Sequence, residues 1–403
     1  MKFLVLGAGR MGFAMVYDLI RSPHVEQVIV ADNSLDRLKH LEKSLADTKI
    51  VPVELDVSKA EEVTELMGRC NVAIGCVGYK HNYDLLQCAM KAHCHFIDLG
   101  GNETVVKQEL RLDELVKELD LTVIPDVGLA PGLVSILAVS AAESLDELYE
   151  IRMRVGGVPV DPEGPLNYSQ VFAIDGLINE YFEDATILRD GKQFMVPSLT
   201  DIEKLEFPKP FGFMEAFNTS GGVSTLPRTY RDKVQHLDYK TIRYPGHCAQ
   251  MDLLKQLGLM ESEEVTLASG AKVAPRELLH HMLEKHLPKD EPDVVLLRVI
   301  VTGIRERKPV QLVWQCIDYG EPSAGISAMM RMTAFPASII AQMIGRGDLK
   351  ERGVLHQELV VPTKLYLAEL EGRGIKLELT EQAPEVPPRM ANEARSSLSS
   401  KNT

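Results

Sequence analysis

Cysteine is sparse and unpaired in this sequence. The six residues Cys70, Cys76, Cys88, Cys94, Cys248 and Cys316, in a chain of 403, show neither CxxC spacing nor a dense framework. That pattern argues against a zinc ribbon or a disulfide scaffold and reads as the reduced thiols of a cytoplasmic protein. Positive charge is short too: 44 Lys and Arg stand against 58 Asp and Glu, for a formal net charge of −14. Affinity for nucleic acid rests on neutralising phosphates, so no nucleic-acid partner is expected. No run approaches the roughly 18 uninterrupted apolar residues of a membrane span. The longest, Leu133 to Ala142, is broken by Ser135 and Ser140 and reads as a buried helix, so no membrane partner is expected either. A secretory signal is not apparent, because Met1-Lys2 leads directly into the β-type run Phe3 to Leu6 and then into glycines; the fold is expected to begin at residue one. His93-Cys94-His95 has ligand-type side chains but no second cluster to complete a tetrahedral set, and no metal is expected. Internal repeats are absent.

What is present is length enough for two domains with a cleft between them, at roughly 150 residues per domain. The first third alternates short β-rich runs with amphipathic helical stretches, the pattern of a doubly wound parallel sheet of Rossmann type. Candidate strands are Lys2 to Leu6, Gln27 to Ala31, Ile50 to Glu54, Val72 to Cys76, His95 to Leu99 and Leu121 to Pro125. Between the second and third, Leu35, Leu38, Leu41 and Leu45 fall three or four apart on one helical face. After residue 130 the pattern becomes α+β. Tyr149 to Val155 alternates like a strand, and Val294 to Ile304 with Val310 to Ile317 forms a long β pair, from which an antiparallel substrate and dimerisation domain over 131–325 is expected. The apolar stretch Ile326 to Ile344 is expected to return and pack on the first domain within a segment 326–378. Residues 379–403, rich in Pro, Ser and charge, are expected to be disordered. The long β pair and the methionines Met329, Met330 and Met332 suit either core packing or the interface of a homo-oligomer, a dimer or higher.

Gly7-Ala8-Gly9-Arg10-Met11-Gly12 follows the first strand and opens a helix. In this fingerprint the first glycine permits the turn, the second admits a pyrophosphate, the third allows close packing, and the helix N-terminus favours the anion. Asp32 ends the second strand twenty residues after Gly12, where a carboxylate accepts from a ribose diol and repels a 2′-phosphate. NAD is therefore the expected cofactor, with nearby Arg37 pulling toward NADP. Further contacts are expected from strand ends on the same sheet edge: Asp56 and Val57, then Cys76, Val77, Gly78 and Tyr79.

Several segments resemble the saccharopine dehydrogenase-like family, and within it the lysine 6-dehydrogenase branch. They are Ile97 to Gly101, Ile124 to Gly132, Phe217 to Gly222, Lys240 to His247 and Gln342 to Gly347, in order across nearly the whole chain before the tail. The resemblance implies an NAD-dependent oxidoreductase that removes the ε-amine of L-lysine as ammonia, leaving 2-aminoadipate 6-semialdehyde. Relatives that join or split secondary amines, such as saccharopine reductases, share the architecture. A non-catalytic NAD-binding regulator is the alternative of another class.

Amine oxidation needs a base and an oriented substrate. The ammonium of lysine titrates near about 10.4, so an alkaline optimum is expected. His247 is the first candidate acid or base, because imidazole titrates in the useful range; it reads equally as a hydrogen-bonded structural histidine. Asp126 ends the sixth strand, where it could accept from the ammonium or instead stabilise the N-terminus of the next helix. Arg243 and Arg228 are candidate clamps for an amino-acid carboxylate. Lys80 borders the nicotinamide end, and Tyr168 and Asp98 complete the candidate substrate lining.

Overall fold

The computed structural model describes residues 1–289 and 291–384. In the first third, β1 (Lys2–Leu6), β2 (Gln27–Asp32), β3 (Ile50–Glu54), β4 (Val72–Gly75), β5 (His95–Asp98) and β6 (Thr122–Ile124) alternate with helices. These are α1 (Arg10–Arg21), α2 (Leu35–Leu45), α3 (Ala60–Met67), α4 (Asn82–Ala92), α5 (Glu103–Leu110) and α6 (Asp113–Glu118). The strands pair in parallel throughout. Caps mark helix starts where the chain supplies them: the Ser34 hydroxyl accepts from the Arg37 N–H at the head of α2, and Asn102 accepts from the Thr104 and Val105 N–H groups at the head of α5.

The second part begins with α7 (Leu133–Ala142) and β7 (Glu147–Pro159), then α8 (Ile174–Phe182), β8 (Ala185–Arg189), β9 (Lys192–Val196), β10 (Glu203–Phe207) and β11 (Gly212–Asn218). It continues with α9 (Leu226–Thr229), β12 (His236–Arg243), α10 (His247–Gln256), the small hairpin β13 (Val265–Thr266) and β14 (Lys272–Val273), and α11 (Pro275–His286). The long pair β15 (Asp293–Arg305) and β16 (Lys308–Asp318) precedes α12 (Ala328–Arg346), β17 (Gly353–Val354), α13 (Gln357–Val360), α14 (Thr363–Gly372) and β18 (Glu378–Gln382).

Two large sheets result. The first has the order β17-β6-β5-β4-β1-β2-β3, and the second runs β10-β11-β12-β7-β15-β16-β18 with β8 and β9 attached at β12. The second sheet departs from the antiparallel expectation at one pair: β7 and β12 run parallel, Glu150 opposite His236 and Val155 opposite Thr241. The crossover between them carries α8 through α9, so the chain leaves this strand pair and returns in the same direction. The seventh strand of the first sheet, β17, comes from more than two hundred residues downstream and pairs with β6 at Gly353–Thr122 and Val354–Val123.

The layers explain the apolar pattern. One hydrophobic core joins α1, α7 and α12 to a face of each sheet: Phe3, Val5, Val28 and Val30 from the first, and Ile151, Met153 and Val155 of β7 with Val295, Leu297, Val299 and Val301 of β15 from the second. Alternate residues of each strand point the same way, so every second position reaches this layer. Another core covers the opposite face of the first sheet, with Leu4, Leu6 and Ile29 packed against Val63, Leu66, Leu85 and Leu86 of α3 and α4. A third, around Tyr181, Phe217 and Met251, binds α8, α10 and α11 together. Met330 and Met332 are buried inside the chain, which takes them away from any subunit interface. The tail expectation also changes at its start: β18 pairs with β16, Leu379 opposite Trp314. Residues 385–403 lie outside the described residues. No helix among the described residues is long and apolar enough to cross a membrane.

Candidate active site

A cavity of roughly 1190 Å³ lies between the carboxyl ends of the parallel strands and the second sheet. This is the crevice where ligands bind in open α/β sheets. Its nucleotide-side wall is Gly9, Arg10 and Met11 after β1, the segment Cys76 to Lys80 after β4, and Gly100 with Gly101 after β5. The structure therefore gathers the sequence-selected residues Gly9, Arg10, Met11, Cys76, Val77, Gly78, Tyr79 and Lys80 on one surface.

The loop glycines have three different geometries. Gly7 has φ of +107°, and a Cβ there would sit 2.7 Å from the Cys76 carbonyl oxygen; Gly9 faces open space; a Cβ on Gly12 would sit 1.8 Å from the Gly7 oxygen. Turn, ligand approach and helix packing are thus divided among them. Gly7 and Gly12 act from behind the wall. Asp32 is buried, its carboxylate accepting from the Ala8 N–H at 2.7 Å and the Ser34 N–H at 2.8 Å. It braces the loop, and the exposed Arg37 stands 3.8 Å away. Asp56 and Val57 follow β3 outside the cavity wall, where exposed Asp56 accepts from the Ser58 N–H at 2.9 Å and its carboxyl is held below the usual range by that bond.

The opposite wall comes from α8 and β12: Asn179, Glu180, Tyr239, Thr241 and Arg243. Arg243 is 3 % exposed and held at three points. Its Nε donates to the Tyr181 hydroxyl at 2.9 Å, Nη1 donates to the Ile242 carbonyl at 2.9 Å, and Nη2 lies 3.7 Å from the Glu180 carboxylate. Burial pushes Glu180 up to about 7, with Arg243 opposing. Arg276 reaches the same wall from α11, bonding the Asn179 side chain and the Asp175 carbonyl. Asn179 in turn donates to the Tyr79 hydroxyl at 3.4 Å, and Arg10 donates to the Gln170 carbonyl at 2.8 Å, so two polar contacts span the cleft.

Five residues selected from sequence for the substrate side stand elsewhere. His247 is 1 % exposed and lies behind Arg243. Nδ1 meets the Leu166 carbonyl at 2.9 Å and Nε2 the Tyr181 hydroxyl at 3.0 Å. A carbonyl only accepts, so Nδ1 carries the proton and Nε2 accepts. Burial and the Arg243 charge push the imidazole down to about 3. It is a neutral structural histidine, with no face toward the cavity. Tyr168 is buried beneath Arg243, whose guanidinium carbon is 5.0 Å from its ring centre; it supports the arginine instead of lining the cleft. Arg228 is exposed on α9, outside the cavity wall.

Asp98 and Asp126 are sealed beneath the Gly100–Gly101 corner. Asp98 Oδ1 accepts from Asn82 at 2.9 Å and from the Gly100 N–H at 2.6 Å; Asp126 accepts from the Ser224 hydroxyl at 2.6 Å. Gly100 has φ of +71°, and a Cβ there would fall 1.5 Å from Asp126 Oδ1. Glu109 of α5 joins them, buried, with its carboxyl hydrogen-bonded to that of Asp98. Burial, then the neighbouring carboxylates, drive Glu109 far up and Asp126 up to about 7. The group shapes the corner and does not enter the cavity.

Glu180, Asn179, Tyr239, Thr241 and Arg276 carry no signal in the sequence. Their spacing is ordinary for helices and a strand, and only the packing of α8 and β12 across the cleft collects them.

The amino-terminal part matches the family model of the saccharopine dehydrogenase NADP binding domain over residues 3–124, and the remainder matches the saccharopine dehydrogenase C-terminal domain over 128–375. The chain is similar to bovine (Bos taurus) mitochondrial alpha-aminoadipic semialdehyde synthase, 22 % identical over 88 % of this chain and 45 % of that protein. It therefore spans less than half the length of that relative. It is also similar to the L-glutamate-forming, NADP(+) saccharopine dehydrogenase of Pyricularia oryzae, 20 % identical over 82 % of this chain and 88 % of the relative. Among solved structures, saccharopine dehydrogenase (L-Glu forming) from Saccharomyces cerevisiae superposes with a TM-score of 0.76 at 18 % identity, covering 95 % of this chain and all (100 %) of the other.

Proposed function

This chain belongs to the saccharopine dehydrogenase family, and from that premise we infer that it oxidises the ε-amine of L-lysine with NAD, giving 2-aminoadipate 6-semialdehyde and ammonia. The observation that carries the reading is one cavity joining a dinucleotide loop to a sheltered Glu180–Arg243 pair. The residues fit a dinucleotide: the open space at Gly9 admits a pyrophosphate at the head of α1, and Asp32 ends β2 where a ribose diol is held. When bound, the cofactor supplies a hydride acceptor. Asp32 favours NAD over NADP, because a buried carboxylate repels a 2′-phosphate.

The protein's own part is orientation. Arg276 and Lys289 line the same cavity and supply positive charge for the α-carboxylate of an amino acid, the task for which Arg228 stands outside the wall. Tyr79 and Asn179 hold the two walls together where the amine is to be placed.

The test is NADH or NADPH formation at alkaline pH with L-lysine, ornithine and saccharopine in turn. Lysine-dependent reduction that prefers NAD, with the preference weakened in Asp32→Ala, is the expected result. Reduction with saccharopine alone would move the chain to secondary-amine chemistry. Cofactor binding without turnover of any amine would make it a regulator.

A further inference from the structure

Hydride leaves a carbon readily only when the attached nitrogen has a lone pair to form the C=N bond, so an ammonium substrate must first give up a proton. The cavity wall limits where that proton can go. Arg243 and Arg276 are permanent cations, and Lys80 is an exposed amine. Burial drives the Tyr239 hydroxyl above its ordinary value, out of reach of neutral pH. Asp175 and Glu183 are exposed at the rim. His247 has no face in the cavity.

Lys289 is a further cation, and the Tyr79 hydroxyl is engaged across the cleft by Asn179. Glu180 is the carboxylate of the inner wall, and its surroundings are built. Its backbone carbonyl accepts from the Ser220 N–H at 3.0 Å, and the preceding carbonyl, of Asn179, accepts from the Ser220 hydroxyl at 3.2 Å. The side chain is 31 % exposed, but Oε2 is shut off from solvent and accepts no hydrogen bond among the described residues. The Arg243 guanidinium is the nearby countercharge, and its own direction is set by Tyr181, which rests on His247.

We propose that Glu180 is the proton acceptor of the reaction and that Arg243 is the positioning residue that keeps it ionisable; the proposal rests on the reading that an amine is oxidised in this cavity. The carboxylate takes one proton from the substrate R–CH2–NH3⁺. The resulting amine loses a hydride from carbon to the nicotinamide, and the nitrogen lone pair becomes the second bond of R–CH=NH2⁺. Water then adds to that carbon, and the C–N bond breaks to leave R–CHO and NH4⁺, so atoms and charge balance once the proton on Glu180 passes to solvent.

Charge around Glu180 sets the pH dependence. Arg243 faces it from β12, Tyr239 is a neutral neighbour on the same strand, and Tyr181 and Tyr168 are neutral behind the arginine. Arg276, Lys80 and Lys289 are the other cations of this part of the cavity. Burial holds Glu180 near 7, so it is protonated and idle below that value and competent above it. Turnover rises with pH through that range.

The experiment has two arms. Wild type, Glu180→Gln and Glu180→Asp are assayed from about pH 6 to 10 with NAD and L-lysine or saccharopine. In parallel, the infrared carboxylic-acid band lost in E180Q is titrated with no substrate. We expect kcat to fall roughly 10²–10⁴-fold in E180Q, with the neutral-pH limb gone, NAD affinity kept and partial rescue in E180D. The infrared band should disappear as pH rises through neutrality. Amine oxidation by E180Q within about threefold of wild type would overturn the proposal and leave the amine reading intact. If wild type oxidises no amine, the amine reading fails, and with it the catalytic assignment; the infrared arm then tells whether the carboxyl itself titrates as stated. A carboxyl that stays protonated throughout the range would overturn its assignment even in an active enzyme.

Discussion

At the residue scale, His247 shows how side-chain chemistry is redirected by burial. Its sequence neighbourhood, a glycine-containing loop after a strand, suits an acid or base, but the imidazole is enclosed by Tyr168, Tyr181 and Phe217. Both nitrogens are committed, and protonation would leave a charge beside Arg243 in a desolvated site. The consequence is testable. His247→Ala should destabilise the protein by about 1–3 kcal/mol, from a lost buried hydrogen bond and lost packing. It should also lower kcat through the Tyr181–Arg243 alignment and move the midpoint of the pH limb upward, because a displaced Arg243 favours the Glu180 carboxylate less, while the limb itself persists. Denaturant titration and a pH–rate profile would check this; a missing limb would restore His247 as the titrating group.

At the scale of elements, the parallel pair β7–β12 is what brings Arg243 beside α8. Two adjacent glycines on β7 have different tolerances. A Cβ at Gly156 would meet the Ile242 carbonyl oxygen at 2.1 Å, whereas at Gly157 it would meet the Met329 methyl at 2.3 Å. Backbone cannot yield without moving the strand, and a methionine end can change rotamer. Gly156→Ala should therefore lower the thermal midpoint by several degrees and reduce turnover by displacing Arg243, while Gly157→Ala should stay within about 2 °C of wild type, on the usual scale of small core changes. Differential scanning fluorimetry on both variants decides; equal losses would show that the Ile242 contact is not what limits the pair.

At the scale of the whole molecule, the Asp98–Glu109–Asp126 group ties stability to pH. Glu109 is held protonated in the fold by burial and by its carboxylate neighbours, and it ionises at the ordinary carboxylate value once unfolded. Its folded value is raised, so the stability it contributes is fully present below the unfolded value and declines as pH climbs from there toward the folded one. Glu109→Gln removes that slope. The variant should melt roughly 2–4 °C above wild type at about pH 9, with the difference shrinking toward about pH 5. A constant difference at every pH would mean that Glu109 does not titrate between the two states.

Local physics makes much of this protein legible without coordinates. The alternation of apolar runs, the Gly7–Gly12 loop and the acid ending β2 define a nucleotide-binding sheet, because strand period, turn freedom and helix periodicity are properties of neighbouring residues. Residues on that sheet's edge, Gly9 to Met11 and Cys76 to Lys80, are accessible for the same reason. The other wall is not. β17 joins the first sheet from residue 353, β7 and β12 pair across roughly eighty residues, and Glu180 meets Arg243 only when α8 folds over β12. Which side chains lose water, and therefore which ones change their affinity for a proton, depends on those distant pairings. Tertiary structure alone withdrew His247 into the core and left Glu180 at the cavity wall.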